Sequence, residues 1–247
     1  MKSYQSLIVA SALAAALLWA PATASGVVGV QKVTLAAGGN FVSTPLHPNS
    51  LFEGALAART ANTVTFVANP GWAANQLAPV AGRYQYILIV KQDASTSPGV
   101  AGDWWHIQSN TDKTVTVDAA GDDLVAHLAA GDTLEVRRLT SVKDLFGSGS
   151  SCVLNKDSNG EVLTTEEDVI TLVQGTSFVG NIFYHDGSLG PEGYYDPNGN
   201  EAGDGSTLTL DPGQPVLVFR RSGSPTTTIP FVFEDGTWKL DEFVIPG

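Results

Sequence analysis

Residues 155–166, Asn-Lys-Asp-Ser-Asn-Gly-Glu-Val-Leu-Thr-Thr-Glu, set oxygen-bearing side chains at the first, third, fifth and twelfth places of a twelve-residue loop, with glycine at the sixth. That spacing spells a calcium loop. Asn155, Asp157, Asn159 and Glu166 would offer side-chain oxygens, Glu161 its backbone carbonyl, and Gly160 the sharp turn. Asparagine at the first place lowers the charge, so the expected affinity is weak, at roughly 10⁻⁴ to 10⁻³ M. The flanks differ from the helices that usually hold such a loop: Cys152-Val153-Leu154 is too short for one, and Val169 to Val173 is a β-branched run. The competing reading is a loop turn at Asn159-Gly160 with solvated polar flanks. Asp196-Pro197-Asn198-Gly199-Asn200 starts with similar spacing but has Glu201 where glycine belongs.

Two aromatic pairs form the second candidate, Trp104-Trp105 and Tyr194-Tyr195. Neighbouring side chains of a strand point to opposite faces, so one ring of each pair enters a core and the other stands outside it. An outward ring can stack on a sugar or a protein partner, or be covered by a loop or second sheet.

No catalytic constellation is legible. His47, His106, His127 and His185 are scattered, Gly147 to Ser151 lacks the closing glycine of a nucleophile elbow, and no phosphate-cradling GxxxxGK[ST] occurs. Asp93, Asp103, Asp186 and Glu192 flank the aromatic segments and could pair as carboxylates for sugar hydrolysis. No catalytic residue is assigned, and calcium is the one cofactor that the spelling allows.

These residues must be positioned by strands. Short alternating runs rich in threonine, valine and aromatics recur at Thr63–Val67, Tyr84–Val90, Val115–Val117, Leu134–Val136, Val216–Phe219 and Ile229–Phe233, separated by Gly, Asn, Asp and Pro. The expected fold is all-β, two tandem β-sandwich or barrel-like units with few short helices. Helical candidates are Ser141–Phe146, Asp122–Ala129 and Glu166–Gln174, the last overlapping the β-branched run. An apolar strand, an aromatic pair, a threonine-rich strand, a glycine turn and a strand ending in two arginines follow one another twice. TVTVD at 114–118 leads to Arg137-Arg138, and TLTLD at 207–211 leads to Arg220-Arg221. The pattern suggests related units joined near Gly147–Ser151, dividing the chain into 25–147 and 148–247.

Residues 1–24 read as a secretory signal peptide: Lys2, an apolar run from Leu7 to Ala20, Pro21, then Ala22 and Ala24 around the expected cleavage point. Export to the periplasm or the extracellular space follows, without membrane insertion after cleavage. Loss of the leader removes Lys2 and no acid, leaving 12 basic against 25 acidic residues. Such a chain repels phosphate, so nucleic acid is not an expected partner. Cys152 is the sole cysteine, so no internal disulfide forms, and the expected thiol is buried and inert.

The run Trp105 to Thr111, then TVTVD, then Ala130 to Arg137, then Ser141 to Gly147, is similar to a family of exported bacterial proteins of unknown function. Pro45-Leu46 with Phe52-Glu53-Gly54 resembles that family's start, and Gly213 to Arg221 its end. The resemblance implies an exported β-rich protein and carries no activity, ligand or catalytic residue. The functional expectation is a non-catalytic structural or binding component of the cell envelope or extracellular matrix, with polysaccharide or a surface protein as partner. The alternatives are a carbohydrate-active hydrolase with paired carboxylates and a fibre-forming surface protein that adds strands along an edge such as Thr226–Phe233.

Overall fold

The computed structural model describes residues 32–42, 46–47, 50–92, 101–156, 167–174, 177–188, 190–196, 198, 200–221, 227–230 and 239–240. The stretch 1–24, with its signal-peptide spelling, lies outside them. The first strands are β1 (Lys32–Leu35), β2 (Gly38–Val42), β3 (Leu46–His47), β4 (Ser50–Arg59), β5 (Thr63–Phe66), β6 (Tyr86–Gln92), β7 (Trp104–Asn110) and β8 (Thr114–Asp118). Helix α1 (Leu124–His127) precedes β9 (Thr133–Arg138) and β10 (Thr140–Ser141), and α2 (Val142–Phe146) runs into a 3-10 turn at Gly149–Ser151. Then come β11 (Val169–Gln174), β12 (Ser177–His185), β13 (Gly193–Tyr195), β14 (Thr209–Leu210), β15 (Val216–Arg220), β16 (Thr227–Pro230) and β17 (Lys239–Leu240). The protein is all-β, as its alternation predicts.

Strands β4, β5, β8, β7, β6 and β9 close into a six-stranded antiparallel barrel in that order. Its interior takes every second residue: Val64 and Phe66 from β5, Leu88 and Val90 from β6, Val115 and Val117 from β8, Leu134 and Val136 from β9. Period-2 alternation thus converts directly into a filled core. Asn110, 4% exposed, ties the barrel to the segment before β6. Its Oδ1 accepts from the Leu77 N–H at 2.8 Å, and its Nδ2 donates to the carbonyls of Ala73 and Thr111, both at 2.8 Å.

A five-stranded sheet, in the order β13-β12-β11-β15-β2, covers a second core with Ile170, Tyr184, Tyr194, Val216 and Val218. This core also takes in Leu35, Val42, Val142, Leu145 and Phe146, from before Gly147. The spatial grouping therefore crosses the chain position that the serine-glycine composition marks. The reason is packing: Ser141 caps α2 by a reciprocal capping box with Asp144, and the helix turns Val142, Leu145 and Phe146 toward the sheet. Gly147 then leaves the helix with φ +75°, and a Cβ there would stand 2.5 Å from the Ser151 carbonyl oxygen, so only glycine fits this exit.

The two threonine-rich segments have different neighbours. TVTVD forms the whole of β8 between β5 and β7, whereas only Thr209–Leu210 of TLTLD is a strand, paired with β10. Glu166–Gln174 resolves in favour of the strand, since Val169–Gln174 is β11; its β-branched residues fit a pleat between two neighbours better than a helix. The other two helical candidates appear as α1, with Asp123 as N-cap, and α2. Among the described residues no helix is long and apolar enough to cross a membrane.

Candidate functional site on the barrel wall

Strand β7 divides its tryptophans as alternation requires. Trp105, 5% exposed, fills the barrel, and Trp104 stands on the outer wall beside Ile87, Ile89 and Leu139. His106 follows two residues later on the same face. The Tyr84 ring lies flat on the His106 imidazole at 4.4 Å and 9°, and the Trp104 indole meets it edge-on at 5.1 Å and 79°. The result is a partly buried strip of three rings on the outer wall, an amphipathic surface of the kind that takes a flat ligand face.

Two carboxylates adjoin the strip. The Tyr84 hydroxyl donates to Asp118 Oδ2 at 2.5 Å, and His106 Nε2 lies 2.6 Å from Asp211 Oδ1. The Tyr84 phenol pKa is raised, first by its bond to Asp118, then by burial and the carboxylate's charge. Asp118 is correspondingly lowered, by the Tyr84 hydrogen bond and the Ala120 N–H. A depressed carboxylate contributes stability above its unfolded pKa of about 3.9 and loses it as pH falls through the folded value. Melting temperatures of the native protein and Tyr84→Phe should therefore differ at neutral pH and converge in acid, below about pH 4. A constant difference down to pH 2 would refute the coupling.

Beside Asp211, a notch between β9 and residues 211–214 is lined by Ile87, Arg137 and Leu139 among others and holds about 20 Å³. That is room for roughly one water.

The tyrosine pair divides in the same way. Tyr194 is fully buried in the second core, its hydroxyl donating to the Gly147 carbonyl at 2.7 Å, and burial pushes its phenol pKa far up. Tyr195, half-buried, faces out from the five-stranded sheet beside Phe183 and His185. Trp104 and Tyr195 thus belong to different sheets and share no strip. Of the flanking acids, Asp103 lies 3.5 Å from His127 and Glu192 holds Lys156 at 2.9 Å. Asp186 accepts from the Ser188 N–H, and Asp93 lies outside the described residues. Cys152 is partly buried against the second core, and burial raises its thiol pKa.

Of the calcium-loop residues, Asp157, Asn159, Glu161 and Glu166 lie outside the described residues. Asn155 is clasped to Asp168: its backbone N–H donates to Asp168 Oδ2 at 3.0 Å, its Nδ2 to Oδ1 at 3.4 Å, and the Asp168 N–H returns to its carbonyl at 3.1 Å. The shorter Asp196 segment turns its carboxylate on itself, accepting from the N–H groups of Asn198 and Asn200 and from Asn200 Nδ2.

Sequence reading missed Tyr84, Asp118 and Asp211 as companions of Trp104. Alternation does place His106 on the Trp104 face. The Asp211 contact, 105 positions away in the chain, has no local signal. No family model, characterised protein or solved structure matches the chain.

Proposed function

We propose that this is an exported, non-catalytic component of the cell envelope or extracellular matrix that binds polysaccharide along the barrel wall. The observation that carries the reading is the placement of Trp104 outside the barrel, in one strip with His106 and Tyr84. Stacking on an exposed ring face with polar acceptors at its rim is the chemistry that recognises a sugar's apolar face and hydroxyls. The signal-peptide spelling supports the location.

The carboxylates favour binding over hydrolysis. A general acid for glycoside cleavage needs a raised pKa, whereas Asp118 is lowered and bonded to Tyr84, and Asp211 is engaged by His106. The test is a glycan array followed by calorimetry on each hit. Trp104→Ala should weaken binding about tenfold or more while leaving the fold intact. Unchanged affinity in that variant would refute the site, and release of reducing ends from a bound glycan would refute the non-catalytic reading. The weak-calcium reading is a separate proposal, tested by whether Asp157→Ala abolishes the calorimetric heat at millimolar calcium.

A further inference from the structure

Strand β2 closes one side of the five-stranded sheet, and among the described residues its only strand partner is β15. Edge strands of this kind are commonly blunted by lysine, proline or an inward charge. Here residues 33–42 carry no charge and no proline, in a chain of net charge −12. The outer face at this edge is apolar and open: Phe41 is 69% and Phe219 44% exposed, with Leu217 directly opposite Phe41. Phe219 lies opposite Gly39, which presents no side chain of its own.

We infer that β2 pairs antiparallel with β2 of a second copy, giving a two-fold symmetric dimer centred on Asn40. This register aligns Gly38 with Val42 of the second copy, Gly39 with its Phe41, and Asn40 with its Asn40, so all five residues of each strand are paired. Each Phe41 then stands opposite the second copy's exposed Gly39, as Phe219 of β15 stands opposite Gly39 within one chain, where the side chain nearest the glycine is Leu217. An aromatic side chain across from a strand glycine covers the backbone that glycine leaves bare. A two-fold contact must be self-complementary, and this one sets large against absent side chains in both directions.

The self-complementary spacing of Gly39 and Phe41 selects a second copy as the occupant, and charge permits it. Two molecules of net charge −12 repel wherever acids face acids, and residues 33–42 form a stretch on which two copies meet without opposing like charges. Five paired residues a side make a small interface, so the dimer is one of modest affinity that tightens as salt screens the remaining repulsion. The inference is independent of what Trp104 binds.

Sedimentation of the purified protein at up to about 100 µM should show dimer, strengthened by added salt. Phe41→Lys should weaken association about tenfold or more with an unchanged melting temperature, because the side chain is exposed. A protein that stays monomeric over this range, a dimer indifferent to Phe41→Lys, or open-ended polymers would each overturn the inference. The register is tested separately by cross-linking in a Cys152→Ser background. Opposed strand residues lie about 4.5–5.5 Å apart at Cα, within disulfide reach. Mixed Gly39→Cys and Phe41→Cys chains should therefore oxidise to a heterodimer faster than either variant alone forms a homodimer. Equal rates would overturn the register.

Discussion

Substituting Asp168 with alanine is expected to lower the free energy of unfolding by about 3–5 kcal/mol, a large part of the roughly 5–15 kcal/mol available to a domain. Asp168 and Arg220 are buried at 0% and 1%, and Arg220 Nε donates to Asp168 Oδ2 at 3.1 Å. The same oxygen accepts from the Asn155 N–H, so one carboxylate joins the start of β11, the end of β15 and the segment that leads into residues 157–166. Alanine removes the charge that the guanidinium meets inside the protein and leaves its desolvation uncompensated. Urea unfolding checks the size of the loss. A second variant separates burial from fold specificity: Asp168→Leu with Arg220→Met should recover most of the stability, because replacing both ions leaves neither stranded. A loss under about 1 kcal/mol in Asp168→Ala would show that water reaches the pair.

The adjacent tryptophans give the other large effect, as a contrast. Trp105→Ala should cost about 3–5 kcal/mol, the transfer free energy of a buried indole plus the cavity left among Leu88, Ile107 and Val136. Trp104→Ala should cost less, about 1–2 kcal/mol, since it removes a partly buried ring that packs beside Ile87, Ile89 and Leu139 and meets His106 edge-on. The two variants should thus separate stability from ligand binding: the first mainly lowers the melting temperature, and the second lowers affinity with a smaller change in melting temperature. Equal destabilisation by both would mean that the outer wall is packed as tightly as the barrel interior, and the binding strip would lose its support.

Alternation along the chain was enough to establish much of this molecule. The runs at 115–117, 134–136 and 216–219 lie wholly within strands, those at 63–67 and 84–90 do so over Thr63–Phe66 and Tyr86–Val90, and the inward-outward split of Trp104-Trp105 and Tyr194-Tyr195 follows from a period of two. The local capping chemistry of Ser141 and Asp144 placed α2 in the same way, because the hydrogen bonds concerned span three residues. What joins distant segments was not legible. Gly38–Val42 pairs with β15, nearly 180 residues later, and Thr227–Pro230 pairs along one side with β1, so among the described residues β16 is an edge of its two-stranded sheet, as β2 is of the five-stranded one. The remainder of that segment, Thr226 and 231–233, lies outside the described residues.

Sequence by itself determined the all-β class, the acidic charge and the face on which each aromatic ring falls, because these depend on residue type and on neighbours a few positions apart. Only the tertiary structure decided that one sheet closes into a barrel while the other stays open, that Tyr84 and Asp211 join Trp104 and His106, and that Arg220 meets Asp168. Those contacts are chosen by which strands pair. Pairing is a competition among many β-rich segments of similar local preference, settled by the packing of whole cores rather than by any one stretch of chain.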